Sequence, residues 1–475
     1  MGSILPPSDR ERRLGRRSRS FCVPEPLKLS ATIPPMTAIR PSPRSRRALV
    51  ALTATLVLVV AACQPAAQSV SPSPSASQTP APTASPSAGG SVAPSAPASP
   101  ADLSATYASI EDQVRTIRGL AAKKEVDPVV LDDAGIKKIT ADGFHKDNPQ
   151  ALVDANERLL KGLGLLPQDA NLGDLYVKLL GEQVAGLYSP DDKQLYVVSR
   201  SGKLGPTEKT TFAHEYTHAL QDQNFDLGSL KLDEVGEGDK GIAGLSLVEG
   251  DATLVMSLWQ IQHLSQVELL QLLSESLSPE VSGSLDAMPA VLRESLLFPY
   301  TAGLSFVQSL QASGGWDAVN GAFREPPAST EQVLHPEKYA SHEAPVDVTL
   351  PADLPTKLGQ GWSKGLEDTL GEFQLKVWLD QVAAGSGGPS ADAAAAGWGG
   401  DRVMLLDGPN GARAIALKTA WDTPADASEF ASAANSVVAK LGNGAVVPAA
   451  DGSGVTVVLG SSPDVLQSLR SALGA

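Results

Sequence analysis

Residues 64–101 contain no charged side chain and consist almost entirely of Ser, Pro, Ala, Thr and Gly. Such a stretch cannot bury enough apolar surface to offset the entropy lost on ordering, so it reads as a flexible, partly polyproline-II tether. Taken as a random coil of 38 residues, it has a root-mean-square reach of about 35 Å. The chain therefore divides into a leader, a tether and a body, and any fold lies in the body. Charge follows the same division. Residues 1–62 hold 11 of the 38 basic residues and 3 of the 53 acidic ones, which leaves the remainder with a net charge of −23. A body that acidic repels phosphate, which argues against nucleic acid as a partner. Cys22 and Cys63, the only cysteines, are too few and too near the N-terminus for a disulfide scaffold or a Cys-rich metal site.

The leader carries Arg44-Ser-Arg-Arg47 followed by a 13-residue apolar run, Ala48–Val60. That run is short of the roughly 20 residues a membrane-spanning helix needs, and it reads as an export signal. Small residues precede a cysteine at its end, Val60-Ala61-Ala62-Cys63. This resembles the lipobox of bacterial lipoprotein signal peptides, and the resemblance implies lipidation at Cys63. The body would then be anchored through an N-terminal lipid to the extracytoplasmic face of the bacterial cell membrane. An ordinary cleaved signal with a coincidental cysteine is the alternative. Met36 lies at the usual distance upstream of such a signal, which makes it a second candidate start within the 1–62 signal region.

From Leu103 onward the pattern is that of an α+β protein. Apolar residues at three- and four-residue spacing predict helices over 103–120, 149–166 and 175–180. Two β-rich runs flank Ser189-Pro-Asp-Asp192 and predict a hairpin over 184–198. Helices are expected over 206–223, 242–263, 264–277, 290–297 and 300–313, with a Pro-rich irregular stretch from 321 to 354. A second, smaller α+β domain spans 356–475: a helix over 366–382, a hairpin from 402–406 and 412–417, a helix over 426–441, two more β-rich runs and a last helix. The domain reading is thus 1–62 signal region, 63–102 lipidated Cys and tether, 103–355 mostly helical domain, 356–475 C-terminal domain.

The chemistry concentrates in His214-Glu215-Tyr216-Thr217-His218. Histidines four apart lie on one face of a helix, one turn apart, and can aim both imidazoles at a single cation. Glu215 is rotated from His214 by about 100° around the helix axis. It can reach a water on the same ion without taking a ligand position, and so serve as general base and then proton donor. A catalytic Zn²⁺ takes three protein ligands and leaves a fourth position for water. A third histidine six residues after His218 is excluded, because that position is Asn224. The best remaining candidate is Glu249, a carboxylate in the otherwise apolar or small run Ser246–Thr253, where burial is costly without a partner or a metal. Pairing with a lysine, or capping, is the structural alternative for Glu249.

Other polar residues are candidates for supporting roles. Asp222, four after His218, lies on the ligand face and could accept a ring N–H. Asp251 reads as a helix-anchoring acceptor. Tyr300, His335 and Tyr339 are candidate donors to a developing oxyanion.

His214-Glu-Tyr-Thr-His-Ala-Leu-Gln-Asp-Gln223 with Glu249-Gly-Asp-Ala252 resembles the zincin metallopeptidases, specifically the gluzincin type with two His and a downstream Glu, in a bacterial lipoprotein branch. Segments similar to Gly186-Leu-Tyr-Ser-Pro190 and Ser329–Tyr339 recur in that group. The resemblance covers about residues 105–345. It implies a mostly helical zincin-like catalytic domain with a small edge-strand sheet, Zn²⁺ as cofactor, a peptide or protein substrate, and Gln194–Val198 as the strand edge for an extended peptide. Thr253 replaces the acid that better-known gluzincins carry four residues after the ligand Glu. Two readings stand beside each other: a lipid-anchored zinc metallopeptidase, and a non-catalytic surface lipoprotein that uses the zincin scaffold as a binding or assembly module. A two-lobed solute-binding lipoprotein is disfavoured by the lack of repeated strand–helix alternation.

Overall fold

A computed structural model of the protein describes residues 100–198, 204–276, 287–383 and 390–474. The export signal, Cys63 and the tether up to residue 99 lie outside the described residues. The fold is α+β, mostly helical, with two small sheets.

Helix α1 (Pro100–Arg118) ends at Gly119, whose φ of +70° is the left-handed conformation glycine tolerates. Its buried stripe is Tyr107, Ile110, Val114 and Arg118, three- and four-residue steps along one face. Strand β1 (Pro128–Leu131) and helix α2 (Asp133–Asp147) follow, in a stretch where the sequence reading assigned no element. Helices α3 (Gln150–Gly162) and α4 (Leu172–Gln183) lead into strands β2 (Gly186–Ser189) and β3 (Gln194–Val198). These strands form the expected hairpin, but not the expected edge. Strand β3 lies between β2, antiparallel, and β1, parallel, because residues 128–131 supply a third strand. The side chains alternate, as pleating requires. Leu195 and Val197 face Phe212, Ala213 and Tyr216, while Tyr196 and Val198 face the cluster of Ile136, Val184 and Leu187.

Helix α5 (Pro206–Phe225) starts with Pro206 at its first position, and Glu208 Oε2 accepts from Gly205 N at 3.0 Å. It is buried continuously from Thr210 to Asp222. Helix α6 (Gly238–His263) is apolar and long enough to cross a membrane by composition, yet 78% of that apolar window is packed inside the protein. After α7 (Gln266–Ser276) comes α8 (Ala290–Arg324). The two helices expected over 290–313 are one, which carries Pro299 inside it. The break falls instead at Gly314 and Gly315, whose φ is +64° at the second. The stretch from 321 to 354 is less irregular than expected: α8 continues to Arg324, and short helices α9 (Thr330–Leu334), α10 (Pro336–Ala340) and α11 (Leu354–Leu358) follow.

The C-terminal sheet has the order β4–β5–β6–β8–β7 and is antiparallel throughout. Its strands are β4 (Ser363–Asp368), β5 (Trp398–Asp407), β6 (Arg413–Trp421), β7 (Gly444–Pro448) and β8 (Gly454–Gly460). With it go helices α12 (Gly371–Ala383), α13 (Ala391–Ala395), α14 (Pro424–Leu441) and α15 (Pro463–Leu473). The helix expected to begin at Leu366 begins five residues later. Leu366 is opposite Leu405 in the sheet, and Gly371, at φ +74°, turns the chain before the helix. Asp401 then accepts from the N–H groups of Leu370 and Gly371 at 3.0 and 2.8 Å. Ala155 and Leu159 of α3 and Leu163 just after it share a core with this sheet and its helices, so packing runs across residue 356.

Helices α6 and α8 cross with backbones in contact. A Cβ on Gly250 would lie 2.2 Å from the Gly303 carbonyl oxygen, and one on Gly303 would lie 2.2 Å from that of Ser246. In an exposed helix interior, Gly→Ala stabilises by roughly 1 kcal/mol. Here Gly250→Ala is expected to destabilise by about 1–3 kcal/mol through overpacking, read as a lower urea midpoint. Equal stability would show that the two helices separate without cost.

Candidate metal centre

Helices α5 and α6 bring together the three residues singled out as ligands. His214 Nε2 lies 3.0 Å from His218 Nε2 and 3.2 Å from Glu249 Oε2, and His218 Nε2 lies 3.4 Å from that same oxygen. Tetrahedral zinc with ligands at about 2.0–2.1 Å requires ligand–ligand separations of about 3.3 Å. The donor triangle fits that size. Two further observations fit a cation. A carbonyl oxygen, Gln221 Oε1, accepts from His218 Nδ1 at 2.8 Å, so the ring, whenever it is neutral, turns the lone pair of Nε2 toward the triangle. Glu249 Oε1 and His214 Nδ1 are buried without hydrogen-bond partners among the described residues. The group can hold a metal ion.

The site is dry. His214, Glu215, His218 and Glu249 are each 1% exposed or less. Burial alone would lower the pKa of His218, but the adjacent Glu249 carboxylate outweighs it and raises it to about 9. Burial would likewise raise Glu249, and the two imidazoles instead hold it down at about 2. The Glu215 carboxylate accepts from the backbone N–H of Tyr188 at 2.9 Å. That contact requires β2 to lie close on α5, and Gly186 permits it: a Cβ there would stand 2.5 Å from the Thr211 methyl carbon and 3.1 Å from Glu215 Cγ. Tyr300, from α8, is stacked on His214 with ring centroids 6.1 Å apart.

The remaining candidates are placed differently. Asp222 does not contact a ligand imidazole. Its oxygens accept from the Tyr188 hydroxyl and Lys193 Nζ, each at 2.7 Å, and from Leu227 N at 3.3 Å, tying the hairpin to α5. Helical spacing puts Asp222 one turn after His218, but the hairpin supplies its donors. His335 is paired with Glu372 at 3.0 Å, and Tyr339 donates to the Glu325 carbonyl at 2.9 Å, so both belong to the 325–372 region rather than to the triangle. Asp251 accepts from Gln221 Nε2 at 2.9 Å and from Arg118 Nε. Gln221 and Arg118 are the residues that sequence reading missed. Their signals were present: Gln221 lies three after His218, and Arg118 stands in the apolar stripe of α1.

A family model described as a domain of unknown function (DUF8575) matches residues 361–470. That match spans β4 to α15. The metal-binding group lies outside it. No curated protein and no solved structure matches the chain.

A second convergence of acids, Glu331, Glu343 and Asp422, already holds a cation of its own. Lys338 Nζ donates to the three at 2.6, 2.8 and 2.5 Å. An ammonium satisfies that cluster, whereas no lysine or arginine pairs with Glu249 among the described residues.

Since the adjacent Glu249 carboxylate raises the His218 pKa to about 9, a divalent ion competes with a proton for that ring. Apparent affinity is therefore expected to weaken as pH falls from 9 toward 6, by up to about tenfold per unit, with roughly one proton released per ion at pH 7. Calorimetry in buffers of different ionisation enthalpy measures both quantities. A pH-independent affinity would mean that the ion bypasses His218.

Proposed function

We propose that the protein is a zinc-dependent metallopeptidase, held by a lipid on Cys63 at the extracytoplasmic face of a bacterial membrane. The observation that carries this reading is the convergence of His214 Nε2, His218 Nε2 and Glu249 Oε2 within 3.4 Å of one another, with Glu215 one residue from the first ligand. Zinc, when bound, supplies Lewis-acid polarisation and activation of water. Glu215 takes the proton of the attacking water and passes it to the departing amine nitrogen. The Tyr188 N–H fixes one oxygen of that carboxylate for the task. Tyr300, whose ring lies on His214, is the candidate to stabilise the developing oxyanion. An extended peptide would approach along β2 rather than β3, because β3 has partner strands on both sides and the outer edge of β2 faces Glu215.

One observation favours a second reading. The four residues expose 1% or less, so a peptide reaches them only after part of the surrounding structure moves. A buried zinc that never meets substrate would serve as a staple between α5 and α6, and the protein would act as a surface binding module. Binding of a hydroxamate to the zinc-loaded protein separates the two, since it requires both access and an exchangeable coordination position.

Glu215→Gln is expected to retain about one zinc per chain while lowering peptide cleavage by about 10²–10⁴-fold, followed by mass spectrometry of a peptide library. Cleavage at the wild-type rate would remove Glu215 as the base.

A further inference from the structure

We propose that Gln221, Asp251 and Arg118 form a positioning chain that holds the His218 imidazole in the one neutral tautomer able to bind a metal through Nε2. The inference rests on the reading of His214, His218 and Glu249 as metal ligands and extends it to three residues on three helices.

The chain runs in one direction. Gln221 Oε1 accepts from His218 Nδ1 at 2.8 Å. The Gln221 amide is oriented by its other end, where Nε2 donates to the Val248 carbonyl at 3.0 Å and to Asp251 Oδ2 at 2.9 Å. A flipped amide would set its oxygen against these two acceptors and offer its NH₂ group to His218 Nδ1. The ring proton would then move to Nε2 and occupy the lone pair that faces the triangle. Val248 and Asp251 flank Glu249, so the helix that supplies the third ligand also orients the support of the second.

Arg118 completes the chain. Gln221, Asp251 and Arg118 are fully buried, and a buried carboxylate is costly unless it is paired. Arg118 Nε lies 2.7 Å from Asp251 Oδ1 and 3.0 Å from Oδ2, and the guanidinium stacks on Trp316 at 4.6 Å. The guanidinium pairs with Asp251 and holds it in place, and Asp251 keeps Gln221 from flipping. By contrast, His214 Nδ1 has no hydrogen-bond partner among the described residues, so this support reaches His218 alone.

The test compares wild type with Gln221→Met, with the double variant Arg118→Met/Asp251→Leu, and with His218→Ala. The double variant replaces the buried ion pair by apolar groups of similar size, a change that is often neutral for stability. Zinc affinity is read by competition with a chromophoric chelator, thermal unfolding is read on metal-free protein, and the His218 Nδ1–H resonance is read by NMR on zinc-loaded protein. We expect Gln221→Met and the double variant to lose about 10–100-fold in zinc affinity, with near-native unfolding and a broadened or absent Nδ1–H signal. Wild-type affinity in both, or weakened binding with the Nδ1–H signal intact and a parallel loss of stability, would overturn the chain and leave the metal site standing. Wild type and His218→Ala binding zinc equally, or not at all, would overturn the metal site itself and this inference with it.

Discussion

A carboxylate shut away from water on the inside of an apolar helix is the constraint around which this protein is arranged. Glu249 is 1% exposed and ionised, and its neighbours along α6 are small or apolar. Leaving such a charge unpaired in a dry interior would cost several kcal/mol. The packing meets that demand from one side only, with two imidazoles one turn apart on α5. Neither is a permanent cation, so the attraction is conditional: it needs a proton or a metal ion in the triangle. This separates the centre from two other buried acids of the protein. Asp251 has Arg118, and Glu331 has Lys338, each a partner that stays charged at any ordinary pH. The Glu249 site is left to be completed by a species that can come and go.

Much of this was legible in the sequence, and the parts that were not share a physical reason. His214, His218 and Glu249 could be chosen because they break local rules: paired imidazoles on one helical face, and an acid in an apolar run. The hairpin could be read because Ser-Pro-Asp-Asp is strong turn chemistry. What failed depended on neighbours distant in sequence. Strand β3 became central only because residues 128–131 pair with it. Leu366 lies in a strand rather than a helix because Leu405 is opposite it. Asp222 follows His218 by one helical turn, yet its partners come from the hairpin, 29 and 34 residues earlier. Helical spacing specifies which side chains share a face, not which donors will arrive there.

Arg118 shows where a stricter reading could have gone further. In α1 the buried positions are Tyr107, Ile110, Val114 and Arg118, and the last is a cation where the stripe calls for an apolar residue. A charge in that register implies a buried counter-charge elsewhere in the chain. Asp251, two residues past Glu249 on an equally apolar helix, is the matching anomaly. Two misfits of opposite sign on otherwise apolar faces identify each other, and together they dock α1 beside the helices that carry the ligands.

The C-terminal sheet is joined to the same helix at its other end. Asp368 accepts from Gly238 N at 2.8 Å, and Arg402 donates to the Gly236 carbonyl at 2.8 Å. Asp239 is buried and accepts from the Thr330 hydroxyl at 2.5 Å and from the Thr330 N–H, while Gly371 packs directly on its carboxylate. These contacts grip the first turn of α6 and the residues just before it, about eleven residues or three turns before Glu249. A rigid helix transmits that placement along its axis at about 1.5 Å per residue. The sheet that carries no ligand thus has a physical connection to the centre: it sets where α6 begins, the Gly250–Gly303 crossing sets how closely α8 lies on it, and between the two the position of Glu249 is determined.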